Sequence, residues 1–535
     1  MKFASVILAA TVVTTTVPPA PKPVPYLESI EVTVNNVDVI VTDRAGNRVH
    51  GLEKSDFEIL ENNVAQTISN FSEYRGAERA PVATTAPEAL PQSRKFVMLF
   101  DDLSLHPATA GEFRKRTDAL VSSAMQPGDE LMILTPTSKT AKVALPFTSD
   151  KRAIHNAIES VMRQSGFRAD TRLIQERLFY EREVQQATYS ARRAGAQAYS
   201  RGVSRRVKET LGHLQGVVAA MAEVPGKKSV IFVTQSLPVE PGFEAFDLDQ
   251  PPPGAWSRLT AYLADVARTA STNGVTVYCL QPDVYTGSAI GMDVEDRGRG
   301  PRGGVRVSNV APITDIQGTQ KAFEILSDTT GGKWWRGGAG IGPLFRQISE
   351  DVTDYYSIGY RAASEEPDRT RSIAVRVRNH PEYDVRARRA VVRKSAPNEM
   401  RDMVIARLLD DRSIDELGVR VSVGKTERER TGSLLVPVDL KIPLSKLTFL
   451  RDGDVYRASF RVHYAAESSA PDFAPGEGRE QTVEVPAADI AHLGGKFYTY
   501  TTNLRVLPGE VKVSVGVLDP LSHLATIKTM TMTVR

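Results

Sequence analysis

The period of the hydrophobic positions changes twice along the chain and divides it into three parts. Between residues 28 and 76, apolar side chains recur at every second position, as in Val37, Val39 and Val41. This alternation is typical of strands with one buried face, so the first part is predicted to be a small β unit. Because a few strands cannot form a stable core by themselves, this unit needs a partner sheet.

The second part, residues 94–362, begins with the continuous apolar run Phe96–Phe100, which indicates a strand buried on both faces. Further strands are predicted at Glu130–Thr135, Val143–Phe147, Ser229–Val233, Val275–Leu280 and Tyr355–Tyr360. They alternate with helices predicted at Ala108–Met125, Lys151–Met162, Trp256–Thr272, Phe323–Leu326 and Leu344–Val352. Alternating apolar strands and amphipathic helices predict a doubly wound parallel α/β sheet.

A period of two returns in the third part. A hairpin within residues 364–395 is expected to complete the β unit of residues 28–76, with the α/β domain inserted between them. Residues 396–535 show a short helix and then alternating segments, with turn residues at intervals typical of a β-sandwich. The predicted fold class is therefore α/β plus all-β, with a doubly wound sheet, a small β-sandwich and a C-terminal β-sandwich.

An Arg-rich insertion interrupts the α/β pattern at residues 163–208. This segment contains eleven Lys or Arg and four acidic residues. The segment has a weak helical apolar stripe and interleaved tyrosines. Two interpretations stay open: a solvated helical excursion, or a basic patch for an anionic polymer or a membrane surface.

The first 20 residues resemble a secretory signal, with Lys2, an apolar stretch and then small residues. The stretch is shorter than a membrane-spanning helix, and no later window holds 18 uninterrupted apolar residues. We therefore expect an exported protein without a transmembrane span, located in the periplasm, the cell envelope or outside the cell.

Charge and cysteine content exclude several classes of protein. Lys and Arg total 67 against 64 Asp and Glu, so no nucleic-acid partner is expected. The one cysteine, Cys279, lies inside an apolar strand, which excludes an intrachain disulfide and favours a buried structural thiol. No nucleophile elbow, phosphate-binding loop or zinc-protease motif is present, so we do not expect an enzyme.

Polar residues follow the first buried strand directly: Asp101, Asp102, Ser104 and, two positions later, His106. Ligands of open α/β sheets bind at this edge, where acids and hydroxyls can hold a hard divalent cation. The alternative is that Asp101, Asp102 and Ser104 cap the helix that follows. A hydrolase that uses His106 beside the two acids is a third, weaker hypothesis.

Several motifs occur together in a characteristic order: Val37–Gly46, Gly51–Asn62, Pro225–Ser229, Thr330–Gly332 and Tyr355–Tyr360. In this order they resemble the bacterial VWFA-related family of the acidobacterial type, whose central domain is a von Willebrand factor A-like domain. The resemblance covers about residues 30–393 and not the C-terminal sandwich. It implies binding to another macromolecule through a metal-ion-dependent adhesion site.

The sequence departs from that family's metal site, which has Asp-x-Ser-x-Ser after the first strand and Thr-Asp-Gly after the fourth. If Asp101 is the family acid, the two serines become leucines; if it is Asp102, Ser104 fits and His106 replaces the second serine. Gln235 stands in the position of the fourth-strand acid, and Thr171 is the candidate for the threonine of the middle loop. The resemblance therefore implies a degenerate site that binds Mg²⁺ or Mn²⁺ weakly or not at all.

The resulting functional hypothesis is an exported, non-catalytic protein–protein interaction or adhesion-type protein. The alternative is a cell-envelope structural or assembly scaffold whose C-terminal sandwich is the binding surface. The sequence determines neither the protein partner nor the oligomeric state.

Overall fold

The computed structural model describes residues 34–75, 94–101, 125, 127–136, 141–163, 188–241, 257–281, 311–336, 341–361, 366–408, 413–429, 434–467, 476–506 and 508–534. The signal-like segment, most of the predicted helix Ala108–Met125 and residues 164–187 of the Arg-rich insertion lie outside these ranges. The account below concerns the described residues.

The first part of the chain forms short strands with alternating burial. They are β1 (Val34–Thr42), β2 (Phe57–Glu61), β3 (Val64–Gln66) and β4 (Ile68–Tyr74). In β2 every second side chain is buried, as the period of two predicts.

The second part alternates strands and helices. Its strands are β5 (Arg94–Phe100), β6 (Glu130–Pro136), β7 (Ala141–Thr148), β8 (Lys227–Val233), β9 (Val275–Gln281) and β10 (Trp334–Arg336). Its helices are α1 (residues 151–163), α2 (Tyr189–Ala220), α3 (Ser257–Thr272), α4 (Ala311–Thr330) and α5 (Ile341–Thr353). The strands form one sheet in the order β10-β9-β8-β5-β6-β7, parallel except for β7 at one edge.

Both faces of this sheet are buried, which explains the continuous apolar runs of its strands. The face that carries Val97 and Leu99 packs against α2, α3 and α4. The opposite face, with Phe96 and Met98, packs against α1 and α5. The arrangement is the predicted doubly wound α/β sheet, and its strand order fits a von Willebrand factor A-like fold.

The expectation that Tyr355–Tyr360 supplies a strand of the parallel sheet is wrong. This segment is β11 (Tyr355–Arg361), and it pairs antiparallel with β1 on one side and β4 on the other. Its inward side chains, such as Tyr356 and Ile358, belong to the core of the first β unit. An alternating strand leaves one polar face, which suits an antiparallel sheet with one side in water.

The strands after β11 join those from the beginning of the chain. They are β12 (Arg371–Val377), β13 (Asp384–Ala387) and β14 (Ala390–Val391). One sheet has the order β13-β1-β11-β4, the other has the order β14-β12-β2-β3, and residues of both share one hydrophobic core. The proposed domain boundaries at residues 76, 364 and 395 stay predictions.

A buried carboxylate joins this β unit to the parallel sheet. Asp351 of α5 is fully buried, and its oxygens accept hydrogen bonds from Arg386 of β13 at 2.7 and 2.9 Å. Arg48, which follows β1, donates to the same carboxylate, and the Tyr278 hydroxyl of β9 donates to it at 3.2 Å. Burial alone would raise the pKa of Asp351, but the two arginines outweigh burial and lower this pKa.

The motif Thr330–Gly332 allows the β unit to pack closely against the parallel sheet. The hydroxyl oxygen of Thr330 accepts a hydrogen bond from the backbone N–H of Val277 in β9, at 3.0 Å. A Cβ on Gly332 would lie 2.0 Å from the Val277 carbonyl oxygen, and a Cβ on Gly331 would lie 2.9 Å from the Ala387 backbone. Gly331 also has a φ of +79°, a conformation that favours glycine.

The second half of the predicted Arg-rich insertion, residues 163–208, belongs to a core helix. Helix α2 begins at Tyr189, and its side chains Val203 and Val207 are already part of the core beneath the parallel sheet. Tyr199 packs against the same core. Arg193, Arg201, Arg205 and Lys208 of this helix are exposed, while its apolar side chains are buried.

The third part begins with α6 (Ala396–Ala406) and continues as strands. These are β15 (Ile414–Asp415), β16 (Arg420–Val423), β17 (Glu427–Arg428), β18 (Leu434–Pro443), β19 (Leu450–Asp452), β20 (Val455–Glu467), β21 (Gly476–Pro486), β22 (Phe497–Val506), β23 (Gly509–Leu518) and β24 (Ala525–Val534). One sheet has the order β15-β24-β23-β20-β19 with β21 beside β20, and the other contains β16, β17, β18 and β22. Side chains from both sheets share a single core.

Helix α6 packs on the outer face of the first of these sheets. Met400 and Val404 of α6 lie over Gly516 in β23, where a Cβ would come within 2.4 and 2.5 Å of their side chains. Just before α6, the Lys394 ammonium contacts Glu223 at 3.0 Å and Asp402 at 2.8 Å. Since Glu223 follows α2, these ion pairs connect the α/β domain with α6.

We expect Asp351→Ala to lower the free energy of unfolding by about 3 kcal/mol or more, because removing one partner leaves buried arginine charges unpaired. Denaturant unfolding of the full chain measures this change. The matched control is Asp265→Ala, which removes an exposed 2.8 Å pair with Arg268 on α3. This control substitution should lower the free energy of unfolding by less than about 1 kcal/mol. Similar losses in both variants would contradict a special contribution of Asp351.

Candidate functional site

The candidate site lies at the carboxyl edge of the parallel sheet, where neighbouring strands end together. Phe100 at the end of β5 is in register with Val233 at the end of β8. Asp101 and Thr234, the next residues, therefore lie side by side, and β9 ends beside them at Gln281. The strand ends of an open α/β sheet are where its ligands bind.

Asp101 is held at this edge by both its backbone and its side chain. Its N–H donates to the Val233 carbonyl oxygen at 2.8 Å, which continues the strand pairing by one residue. Its Oδ2 accepts a 2.7 Å hydrogen bond from the Thr234 hydroxyl. Asp101 is 2% exposed and Thr234 is fully buried. Such a bond stabilises the carboxylate form and fixes the side chain in one orientation.

The loop after β8 is fastened by two further polar side chains. Gln281 is fully buried, and its Nε2 donates to the Gln235 carbonyl oxygen at 3.1 Å. The Thr319 hydroxyl oxygen of α4 accepts from the Leu237 N–H at 2.8 Å. These bonds set the course of residues 234–237, and thereby the position of Gln235 at the edge.

Of the residues predicted from the sequence, the structure brings Asp101 and Gln235 to the same edge. Asp102, Ser104, Thr171 and His106 lie outside the described residues. Thr234, Gln281 and Thr319 were not among the predicted site residues. Thr234 immediately precedes Gln235, which stands at the position of the fourth-strand acid in the family that the sequence resembles. Thr234 could therefore have been predicted from the sequence. Nothing in the sequence marks Gln281 or Thr319.

The described residues of the edge supply one carboxylate, the side-chain amides of Gln235 and Gln281, and the hydroxyls of Thr234 and Thr319. One oxygen of the Asp101 carboxylate accepts the hydrogen bond from the Thr234 hydroxyl, and Gln235 carries an uncharged amide. Within the described ranges, no three His, Cys, Asp or Glu side chains lie together as a metal centre needs. Asp101, Thr234, Gln281 and Thr319 are buried, and Gln235 is half-buried, so these polar groups lie mostly beneath the surface of the edge.

Cys279 lies two residues before Gln281, on the same strand. It is fully buried in the core, and burial raises the pKa of its thiol far above the ordinary value. A thiol that stays protonated is a poor nucleophile. Cys279 is therefore the structural thiol that its apolar strand predicts.

Comparison with solved structures finds low similarity over about half of the chain. An aerotolerance-related membrane protein from Bacteroides fragilis is 12% identical, with 48% of this chain and 99% of that chain covered and a TM-score of 0.23. The vWF domain of the type V pili tip protein Mfa5 from Porphyromonas gingivalis is 9% identical, with coverages of 49% and 96% and a TM-score of 0.27. The SpRpn10 VWA domain is 6% identical, with coverages of 48% and 95% and a TM-score of 0.20.

At such low identities and TM-scores, the fold assignment rests on the strand order and layers described above. No protein-family model and no curated protein matches the sequence. Among the helices that the structure describes, none is long and apolar enough to cross a bilayer.

We expect Thr234→Val to destabilise the α/β domain by about 1–3 kcal/mol, because it removes the hydroxyl that donates to the buried Asp101 carboxylate. Thermal unfolding of the full chain, followed by circular dichroism, measures the change. Thr234→Ser keeps the hydroxyl and should lose at most about 1 kcal/mol with the missing methyl group. If serine is as damaging as valine, the hydrogen bond to Asp101 is not the cause.

Proposed function

We propose that this chain is an exported, non-catalytic protein-binding protein of the adhesion type, built on a von Willebrand factor A-like domain. The carboxyl edge of its parallel sheet is the surface that contacts a protein partner. Recognition there depends on hydrogen bonds and shape rather than on a bridging cation.

The observation that carries this proposal is the state of Asp101 and Gln235. Asp101 is buried and bonded to Thr234, and the position of the second acid holds an amide. An amide both donates and accepts hydrogen bonds and carries no charge. It is therefore better suited to contact with a protein partner than to coordination of a divalent cation. In this proposal Mg²⁺ or Mn²⁺ is at most a weak ligand.

The non-catalytic part of the proposal is supported by the chemistry of the described residues. The thiol of Cys279 is buried. His213 is also buried, and this burial lowers its pKa. At the described edge, the Asp101 carboxylate accepts a hydrogen bond from the Thr234 hydroxyl. Export is supported by the signal-like residues 1–20.

A second candidate function is a cell-envelope scaffold whose C-terminal sandwich is the binding surface. It is favoured by the exposed leucines Leu450, Leu521 and Leu524 of that sandwich, with 55%, 44% and 37% of their surface accessible. Exposed apolar side chains are common at protein-binding surfaces.

Affinity capture from the native envelope fraction tests the two candidates. We expect the full chain to retain the same partner in EDTA and in Mg²⁺, because the edge does not rely on a cation. Gln235→Arg should reduce capture, whereas Asp265→Arg, an exposed change on α3, should not. Loss of capture on chelation would contradict the proposal. Loss in Leu450→Asp but not in Gln235→Arg would favour the scaffold.

Calorimetric titration of the full chain with Mg²⁺ and Mn²⁺ tests the metal site directly. We expect weak or no binding to the wild-type protein. Gln235→Asp restores the acid and should strengthen binding by about tenfold or more, because cation affinity follows the charge of the ligands. Tight, stoichiometric binding to the wild-type protein that is lost in Asp101→Ala or Asp102→Ala would contradict a degenerate site.

A further inference from the structure

His463 lies beneath helix α6, on the outer face of a sheet of the C-terminal sandwich. It stands opposite Gly516 where β20 pairs with β23, and opposite residues of an antiparallel pair point to the same face. Gly516 is the position over which Met400 and Val404 of α6 pack. Ala465, two residues further along β20, belongs to the same apolar cluster as these side chains. The imidazole of His463 therefore faces α6.

This imidazole is enclosed without polar partners. His463 is 4% exposed, and among the described residues neither of its ring nitrogens has a hydrogen-bond partner. Ser514, two residues before Gly516 on β23, faces the same side, and its buried hydroxyl likewise has no partner in the described chain. Buried polar groups are nearly always paired, because an unpaired one costs free energy. A charge on His463 would raise that cost further.

The charged groups of α6 do not offer His463 a free carboxylate. Asp402 is buried and contacts Lys394 at 2.8 Å and Arg401 at 3.3 Å. Arg407, just after the end of α6, is buried as well. The carboxylate of Asp402 is therefore already engaged by two cations, and the other charged groups of this helix face that lie near His463 are positive.

The strand side of His463 has the same balance of charge. Arg461 lies two residues before His463 on β20 and contacts Glu480 of β21 at 2.7 Å. Asp402 attracts a proton to His463, whereas Arg461 and Arg401 repel it. Burial, together with these two arginines, outweighs Asp402 and lowers the pKa of His463 to about 4. The imidazole beneath α6 is therefore neutral at pH 7.

We propose that protonation of His463 releases α6 from the sandwich, so that this helix is a pH-sensitive latch between the sandwich and the α/β domain. In the closed state, a protonated imidazole has two N–H donors and no acceptor beneath the helix. Release of α6 brings the imidazole into water, where its charge is solvated. Because Lys394, just before α6, forms an ion pair with Glu223 of the α/β domain, release also loosens the connection between the two domains.

The pH range of the latch follows from the two environments of His463. Its pKa is about 6.5 when the imidazole is exposed and is lowered to about 4 when it is buried. The closed state is therefore fully favoured above pH 6.5 and loses this advantage as the pH falls towards 4. Between these limits, each pH unit raises the ratio of open to closed states by about tenfold, because opening takes up one proton.

Hydrogen exchange of the full chain at pH 7.5 and pH 4.5, corrected for the intrinsic pH dependence of exchange, tests the proposal. The opening equilibrium constant of the α6 amides should rise by about fiftyfold or more over this range. His463→Leu removes the titrating group and should leave α6 protected at both pH values. The matched control His492→Leu removes an exposed histidine of the same sandwich and should keep the wild-type response.

Amides of β18, in the centre of the opposite sheet, report on the core of the sandwich and should stay protected at pH 4.5. Their exchange together with α6 would show global acid unfolding and would overturn the latch. So would protection of α6 that does not change with pH, or a wild-type response in His463→Leu. Circular dichroism at pH 7.5 verifies that the variants fold, and His463→Phe, which keeps a ring without a titrating group, replaces the leucine variant if that one does not.

Discussion

The arrangement of the first two parts of this protein depends on one buried charge, the carboxylate of Asp351. Its partners come from distant segments: Arg48 after the first strand, Arg386 in a late hairpin and Tyr278 in the parallel sheet. A buried ion is tolerated only when its partners surround it, since its desolvation is costly. The cluster therefore favours a single placement of the β unit against α5, and the glycines at 331 and 332 allow the chains to approach closely enough to form it.

The carboxyl edge of the parallel sheet is also positioned by buried contacts. The edge is built from the ends of strands that are buried on both faces, so the core sets the positions of Asp101 and Thr234. Asp101 and Thr234 meet because their strands are parallel and in register. The buried hydrogen bond between them fixes the orientation of the Asp101 carboxylate.

The C-terminal sandwich adds a second region with separate physical properties. It has its own core, and α6 connects it with the α/β domain through apolar packing over Gly516 and through the ion pairs of Lys394.

Local patterns in the sequence were sufficient to predict the parallel sheet. Strands such as β5 and β9 are apolar on both faces, and few architectures other than a doubly wound sheet bury both faces of a strand. They also predicted Asp101 at the end of the first strand. They could not show that Tyr355–Arg361 joins the β unit, since an alternating strand does not encode its neighbours. The three-residue β10 is too short to show a period. The contacts of Gln281 and Thr319 exist only because distant segments converge, and that convergence is decided by packing and by the pairing of buried polar groups.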